Sequence, residues 1–168
     1  MVQQYLDHAR EILTSEFTGF KMGSNGSGLI SLFGYQSSYD LREGFPLLTT
    51  KGMALNSVIH ELLWFLRGDT NIAYLERNKV PIWRSDTFQH NLPGMVNAGV
   101  FPRGIVKYSP EWDQSLKDYG KMVREDPEFA ARWGDAGPIY GKQWRRWRHF
   151  DEKKGGFVEI DQLGNVLE

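Results

Sequence analysis

Residues 57–66 are the segment that most constrains how this chain can fold. Large apolar side chains fill most of these positions and cover most of the circumference of a helix. The pattern predicts a helix that begins after Asn56 or Ser57, ends at Gly68 and is buried on nearly all sides. His60 and Glu61 would then lie inside the protein.

Composition sets the class of protein. The 168 residues are 40% hydrophobic and carry a formal net charge of −1, which predicts one globular domain without a whole-molecule field for nucleic acid or anionic lipid. No apolar run approaches the roughly 20 residues that span a bilayer, and the polar start lacks a signal core, so we predict a cytoplasmic protein. The chain has no cysteine, which excludes disulfides, thiolate metal sites and thiolate nucleophiles.

Periodicity outlines the other elements. Apolar side chains at helical spacing predict helices over residues 5–13 and 69–78, and extended chain is predicted over residues 29–33, 35–39 and 47–50. Prolines and glycines favour an irregular excursion over residues 84–105. Ser109 and Asp126 each precede a proline and a glutamate, the order of a helix start, so residues 84–136 would contain a small helical insert. Residues 161–168 have the pattern of either the first turn of a helix that continues further or a frayed tail, and both readings stay open.

The apolar pattern of residues 57–66 indicates one candidate site residue, Glu61. A carboxylate in a largely apolar helix is either paired with a basic partner or works as an acid/base group in a cleft, and both readings stay open. His60 and Glu61 begin a zinc-protease signature, but Trp64 occupies the position of the second histidine, so we predict no metal site. The glycine-rich residues 23–28 lack the lysine and following helix of a phosphate loop and fit a connecting loop.

Residues 142–149 interleave four cations with two tryptophans. This composition suits phosphate contacts and base stacking on single-stranded nucleic acid. Arginine stems packed over tryptophan at the edge of a domain explain it as well, and the near-neutral net charge favours that second reading.

Several strings in order resemble thymidylate synthase. They are GFPLLTTK at residues 44–51, HELLWFL at 60–66, GDTNIAYL at 68–75, Ile82-Trp83 and GPIYGKQW at 137–144. The similarity runs from Tyr5 to Glu168 and covers about the N-terminal half of that family's usual length.

The resemblance implies an α/β (α+β) fold, a twisted mixed sheet with packed helices, and a homodimer. It also implies a methyltransferase that reductively methylates dUMP to dTMP with 5,10-methylenetetrahydrofolate as co-substrate and without a metal. Glu61 matches the glutamate that organises water and protons near O4 of the pyrimidine, and Tyr140 matches the tyrosine linked to removal of the C5 proton. Ile82 and Trp83 match the apolar wall for the folate ring, and Lys51 matches a lysine near the folate's anionic tail. Asn56, Gln143 and Trp144 are further candidates nearby.

This sequence also departs from the family. The nucleophilic cysteine, the arginine pair for the nucleotide phosphate and the pyrimidine-reading asparagine belong to the half that is absent here, so the chain alone should be inactive. The family's phosphate-binding arginine falls at Ser24 and a folate-side histidine falls at Ala54. These changes favour an alternative, a non-catalytic truncated or degenerate relative that binds a nucleotide or a partner.

Overall fold

The computed structural model describes residues 2–23 and 26–168, which divide into two compact units, Met1–Met53 and Ala54–Glu168. The first unit contains α1 (Val2–Thr14) and the antiparallel strands β1 (Gly19–Met22) and β2 (Gly28–Ser31), with Phe20 opposite Ile30. The predicted first helix is confirmed. The predicted strand over residues 47–50 is wrong, because the Leu47 N–H bonds the Phe45 carbonyl at 2.8 Å in a local turn and not a neighbouring strand.

The second unit is mainly helical and has one hairpin. Its elements in chain order are α2 (Leu55–Leu66), α3 (Ala73–Arg77), α4 (Arg84–Asn97), α5 (Pro110–Glu125), α6 (Pro127–Trp133), α7 (Tyr140–Arg145), β3 (Trp147–Asp151), β4 (Gly156–Ile160) and α8 (Gln162–Leu167). The mixed α/β class is confirmed, and the strands of the described residues form two separate antiparallel pairs. Helix α8 begins as predicted, since the Asp161 carboxylate accepts the Gly164 N–H at 2.8 Å.

A core of large side chains holds α2 to α6 together. Its buried apolar members are Trp64, Ile72, Leu75, Val80, Phe88, Met95, Trp112, Tyr119, Val123 and Ala130. Both predicted helix starts are confirmed, because Ser109 Oγ accepts the Trp112 N–H and Asp126 accepts the N–H groups of the first turn of α6. Residues 84–136 contain α4 to α6 and supply six of the ten core residues, and their standing as an insert remains a prediction.

The expected irregular excursion is wrong over most of its length, because residues 84–97 form helix α4. Phe88, Leu92 and Met95 recur at i, i+4 and i+7 and pack on the core. Pro93 is exposed and lies in the later half of the helix, where its missing N–H removes a single backbone bond. Tertiary packing of that stripe outweighs the local preference of proline and glycine.

The prediction that α2 is buried on nearly all sides is also wrong. Only Trp64 is buried, while Ile59 and Leu62 are each 48% exposed. Within this unit α3 and α7 pack against the helix, and an apolar surface is buried only where another element covers it. The helix begins one residue after Ala54, which provides no side-chain cap, and ends before Gly68, whose φ of 66° suits the left-handed position after a helix. No helix of residues 2–23 and 26–168 has the length and apolar character to cross a bilayer.

Candidate functional site

Glu61 and Trp83 are joined by a direct hydrogen bond. The indole Nε1–H of Trp83 donates to Glu61 Oε1 at 2.7 Å. Glu61 lies on α2 and Trp83 precedes α4, so the bond links two elements that are 22 residues apart in sequence. Within the described residues Glu61 has no basic partner within salt-bridge distance, so its observed partner is an indole.

Tyr140 lies on the same side of the unit as that pair. Its ring centroid is 5.9 Å from Trp83 and 5.5 Å from Phe65, and both contacts are edge-to-face. Trp144 also meets Phe65 at 5.5 Å, which extends the aromatic cluster along α7. Tyr140 is 56% exposed, and its hydroxyl makes no hydrogen bond to the described residues. Trp83 therefore contacts both other residues, Glu61 through its indole N–H and Tyr140 through its ring.

Two glycines allow the close approach of α7 to α2 that brings Tyr140 against Phe65. A Cβ at Gly141 would fall 2.9 Å from the Cα of Phe65, and a Cβ at Gly68 would fall 2.9 Å from the Cβ of Arg145. Such contacts are closer than real Cβ atoms make, so larger side chains at these positions would move α7 and the ring of Tyr140 with it.

Asp135 fastens the loop that leads into Tyr140. Its carboxylate accepts the Gly137 N–H at 2.5 Å and the Thr70 hydroxyl at 3.0 Å. Its backbone carbonyl accepts the Asn91 amide at 2.9 Å. One residue thereby ties the segment before α7 to α4 and to the turn that follows α2.

A buried ion pair fastens the segment that carries Trp83. Glu76 is 1% exposed and accepts two bonds from Arg84, from Nε at 2.7 Å and from a terminal nitrogen at 2.6 Å. The hydrogen bond to Glu76 raises the pKa of Arg84. The Glu76–Arg84 pair fixes Arg84, the residue directly after Trp83.

Tyr119 is a second buried polar side chain near Glu76. Burial, and secondarily the Glu76 charge, raise the pKa of Tyr119 well above its usual range, and the Tyr119 hydroxyl donates to the Trp133 carbonyl at 2.7 Å.

The remaining predicted residues lie as follows. Ile82 adjoins Trp83 and is 56% exposed, so the two side chains offer apolar surface in adjacent positions. Lys51 is exposed in the first unit. Ala54 precedes α2, and Ser24 lies outside the described residues. The side chains of Asn56 and Gln143 donate to the carbonyls of Asn78 and Pro138.

The bond to Glu61 holds the Trp83 indole in place, and the side chain next to it in sequence, Ile82, is exposed and apolar. No group of three His, Asp or Glu side chains able to hold a metal ion occurs in the part of the chain that the structure describes.

Sequence reasoning missed Glu76, Arg84 and Asp135. Glu76 and Arg84 are eight residues apart across Pro81, in segments rich in charge, and such a pattern is typical of a solvated surface. The apolar residues on either side of Glu76, Leu75 and Val80, were the sequence signal that could have indicated its burial. Asp135 belongs to no periodic segment, although Asp-x-Gly is a common turn in which an aspartate bonds the backbone two residues on.

The sequence profile of the family described as thymidylate synthase matches residues 3–168. Thymidylate synthase of Aster yellows witches'-broom phytoplasma is 42% identical over 159 residues, covering 93% of this chain and 49% of the relative. Those of Mycoplasma pneumoniae and Mesoplasma florum are 39% and 41% identical, covering 95% and 90% of this chain and 50% and 47% of each relative. The chain spans about half the length of the curated relatives it matches.

Proposed function

Since this chain belongs to the thymidylate synthase family, we propose that it supplies the proton-handling and cofactor-facing half of an enzyme that methylates dUMP to dTMP. The observation that carries the proposal is that Trp83 contacts both Glu61 and Tyr140. The three come from separate sequence motifs and from α2, the start of α4 and α7.

Glu61 is the proposed group that orders water and protons near O4 of the pyrimidine. The indole of Trp83 holds one carboxylate oxygen at 2.7 Å, which fixes the orientation of the group and leaves the other oxygen for a water or substrate. Tyr140 is the proposed partner in removal of the C5 proton, and the exposure of this residue supports that role. Acid/base groups of this kind each contribute about 10²- to 10⁴-fold to the rate.

Ile82, Trp83 and Lys51 are the proposed contacts for 5,10-methylenetetrahydrofolate. When bound, this co-substrate supplies the one-carbon unit and the hydride. Ile82 and Trp83 offer the apolar surface on which its ring system would lie, and the ammonium of Lys51 would meet its anionic tail. No metal is part of the proposal.

The chain has no cysteine and therefore no thiolate to add to C6 of the pyrimidine. We propose that it is inactive alone and that the complete enzyme is a cytoplasmic homodimer. Without the covalent bond at C6, C5 is too weak a nucleophile for Glu61 and Tyr140 to compensate.

The test joins this chain to the remaining half of the Mesoplasma florum relative in one polypeptide and measures conversion of dUMP to dTMP. We expect no turnover by the 168-residue chain and clear turnover by the fusion, lost in Tyr140→Phe. The unmodified relative is the positive control. Turnover by the chain alone would overturn the proposal, as would a folded fusion that is inactive beside an active control.

Ser24 and Ala54 support a second candidate, a relative that keeps the fold and binds a partner or nucleotide without catalysis. A bidentate arginine on phosphate contributes about 1.5–3 kcal/mol, which a serine does not replace. An inactive fusion that regains turnover on Ser24→Arg and Ala54→His would favour this candidate.

A further inference from the structure

A cationic groove lies where α7 meets β3, at some distance in the chain from Glu61 and Trp83. It has a volume of about 220 Å³ and is lined by Pro138, Lys142, Gln143, Arg146, Trp147 and Arg148. Three of the six lining residues are cations, and none is acidic. The chain as a whole carries a net charge of −1, so this concentration of positive charge is local.

The three cations of the groove have no carboxylate partner among the described residues. The neighbouring Arg145 is paired with Asp161 at 3.0 Å, whereas Lys142, Arg146 and Arg148 make no ion pair there. Glu159 stands opposite Arg148 in the hairpin register without forming one. Unneutralised charges that share one concavity attract an anion more strongly than the same charges spread over a surface.

Two of the cations are already oriented. A terminal nitrogen of Arg146 donates to the Gly68 carbonyl at 3.0 Å, which leaves its other N–H groups for a ligand. The guanidinium of Arg148 lies 4.4 Å from the ring centroid of Phe157. Holding a side chain in place before binding lowers the entropy that the ligand must overcome.

We propose that this groove binds a phosphoryl group. Two guanidinium groups and an ammonium match the charge and the oxygen geometry of phosphate, and Trp147, which is 44% exposed, offers a ring on which an attached base can stack. The phosphoryl group comes either from a small oligophosphate or from the backbone of a single-stranded nucleic acid. The site goes beyond the proposed function, because its three cations and Trp147 have no role in that reaction, and Gln143 is the one lining residue that was also a candidate near the folate contacts.

The experiment measures the affinity of the purified full chain for two probes, inorganic tripolyphosphate and a short oligothymidylate, at several salt concentrations. We expect tripolyphosphate to bind and its affinity to fall as salt rises. Arg146→Gln and Arg148→Gln should each weaken binding about tenfold or more, because each removes a charge-assisted contact. Oligothymidylate that binds more tightly and loses affinity in Trp147→Ala assigns the source as nucleic acid, whereas tripolyphosphate binding alone assigns a small ligand.

Arg124→Gln is the matched control, since it removes one exposed cation from α5 and should leave both affinities unchanged. Arg146→Lys keeps the charge, so partial recovery relative to Arg146→Gln separates loss of a contact from misfolding. The proposal is overturned if neither probe binds at low salt, or if Arg124→Gln weakens binding as much as Arg146→Gln does. Neither result depends on turnover of dUMP, so failure here is distinct from failure of the proposed function.

Discussion

Among single residues, Glu76 contributes most visibly to the order of the site. It is buried with Arg84 as its partner, and removing one member of a buried ion pair leaves an uncompensated charge. We expect Glu76→Ala to lower the free energy of unfolding by about 3–5 kcal/mol, measured by urea denaturation. Glu128→Ala, at an exposed position, is the control and should change it by about 0.5 kcal/mol. A loss below about 1 kcal/mol in Glu76→Ala would show that the pair does not anchor Arg84.

Tyr119 makes the stability depend on pH in the alkaline range. Its pKa is raised in the folded protein, so the unfolded chain loses the phenolic proton first, from about pH 10 upward. The unfolded state then binds fewer protons, and stability falls as pH rises, with about 1.4 kcal/mol lost per pH unit for one such group. Tyr119→Phe should be about 1 kcal/mol less stable at pH 8, because the bond to Trp133 is lost, and should show a flatter decline above pH 10. Equal slopes in the two proteins would contradict this.

The sequence distinguished Glu61 but not Glu76, for a physical reason. Glu61 interrupts a long apolar helix, so the free-energy cost of burying its carboxylate could be recognised from the sequence alone. The burial of Glu76 depends on α5 folding over α3, a contact between residues far apart in sequence. Local pattern carries no information on such a contact. The hydrogen bond between Trp83 and Glu61 was hidden for the same reason.

At the scale of elements, Gly120 sets the distance between α5 and Arg84. A Cβ at Gly120 would fall 2.6 Å from Cζ of Arg84, although an alanine inside a helix is normally about 1 kcal/mol more stable than a glycine. We expect Gly120→Ala to destabilise the chain by about 1–3 kcal/mol. In an Arg84→Ala background the same change should stabilise by about 0.5–1 kcal/mol, as measured by a double-mutant cycle in urea. The same sign in both backgrounds would contradict the account.

Helices were predictable where their ends carry local signals. The side chains of Ser109 and Asp126 cap the backbone as their sequence order indicates, and those bonds need no distant partner. Helix α4 lacks such a cap, and Pro93 and Gly94 obscure its apolar stripe. Gly94 is placed there by packing, since Trp133 occupies the space that a Cβ would fill. The exposure of α2 could not be predicted from the sequence. The spacing of apolar residues shows which surface of a helix is apolar, but it does not show whether another element packs on that surface.

For the whole molecule, the apolar surface of α2 predicts concentration-dependent self-association. Ile59 and Leu62 are both exposed on that helix, and contiguous apolar surface favours contact with another molecule. Leu62→Glu should shift the chain toward monomer in sedimentation velocity. Ala131→Glu adds the same charge at an exposed position on α6 and should not. A monomeric parent chain, or equal effects of the two changes, would refute the prediction.

The proposed chemistry depends on the carboxylate of Glu61. Its most direct test is the release of tritium from C5-labelled dUMP by the fusion with the Mesoplasma florum half, compared with its Glu61→Gln variant. Glu159→Gln, at an exposed strand position, is the matched control. If Glu61 acts in this way, kcat falls at least about 100-fold in Glu61→Gln and stays within about threefold in the control. A Glu61→Gln protein that releases tritium at the parent rate would contradict it.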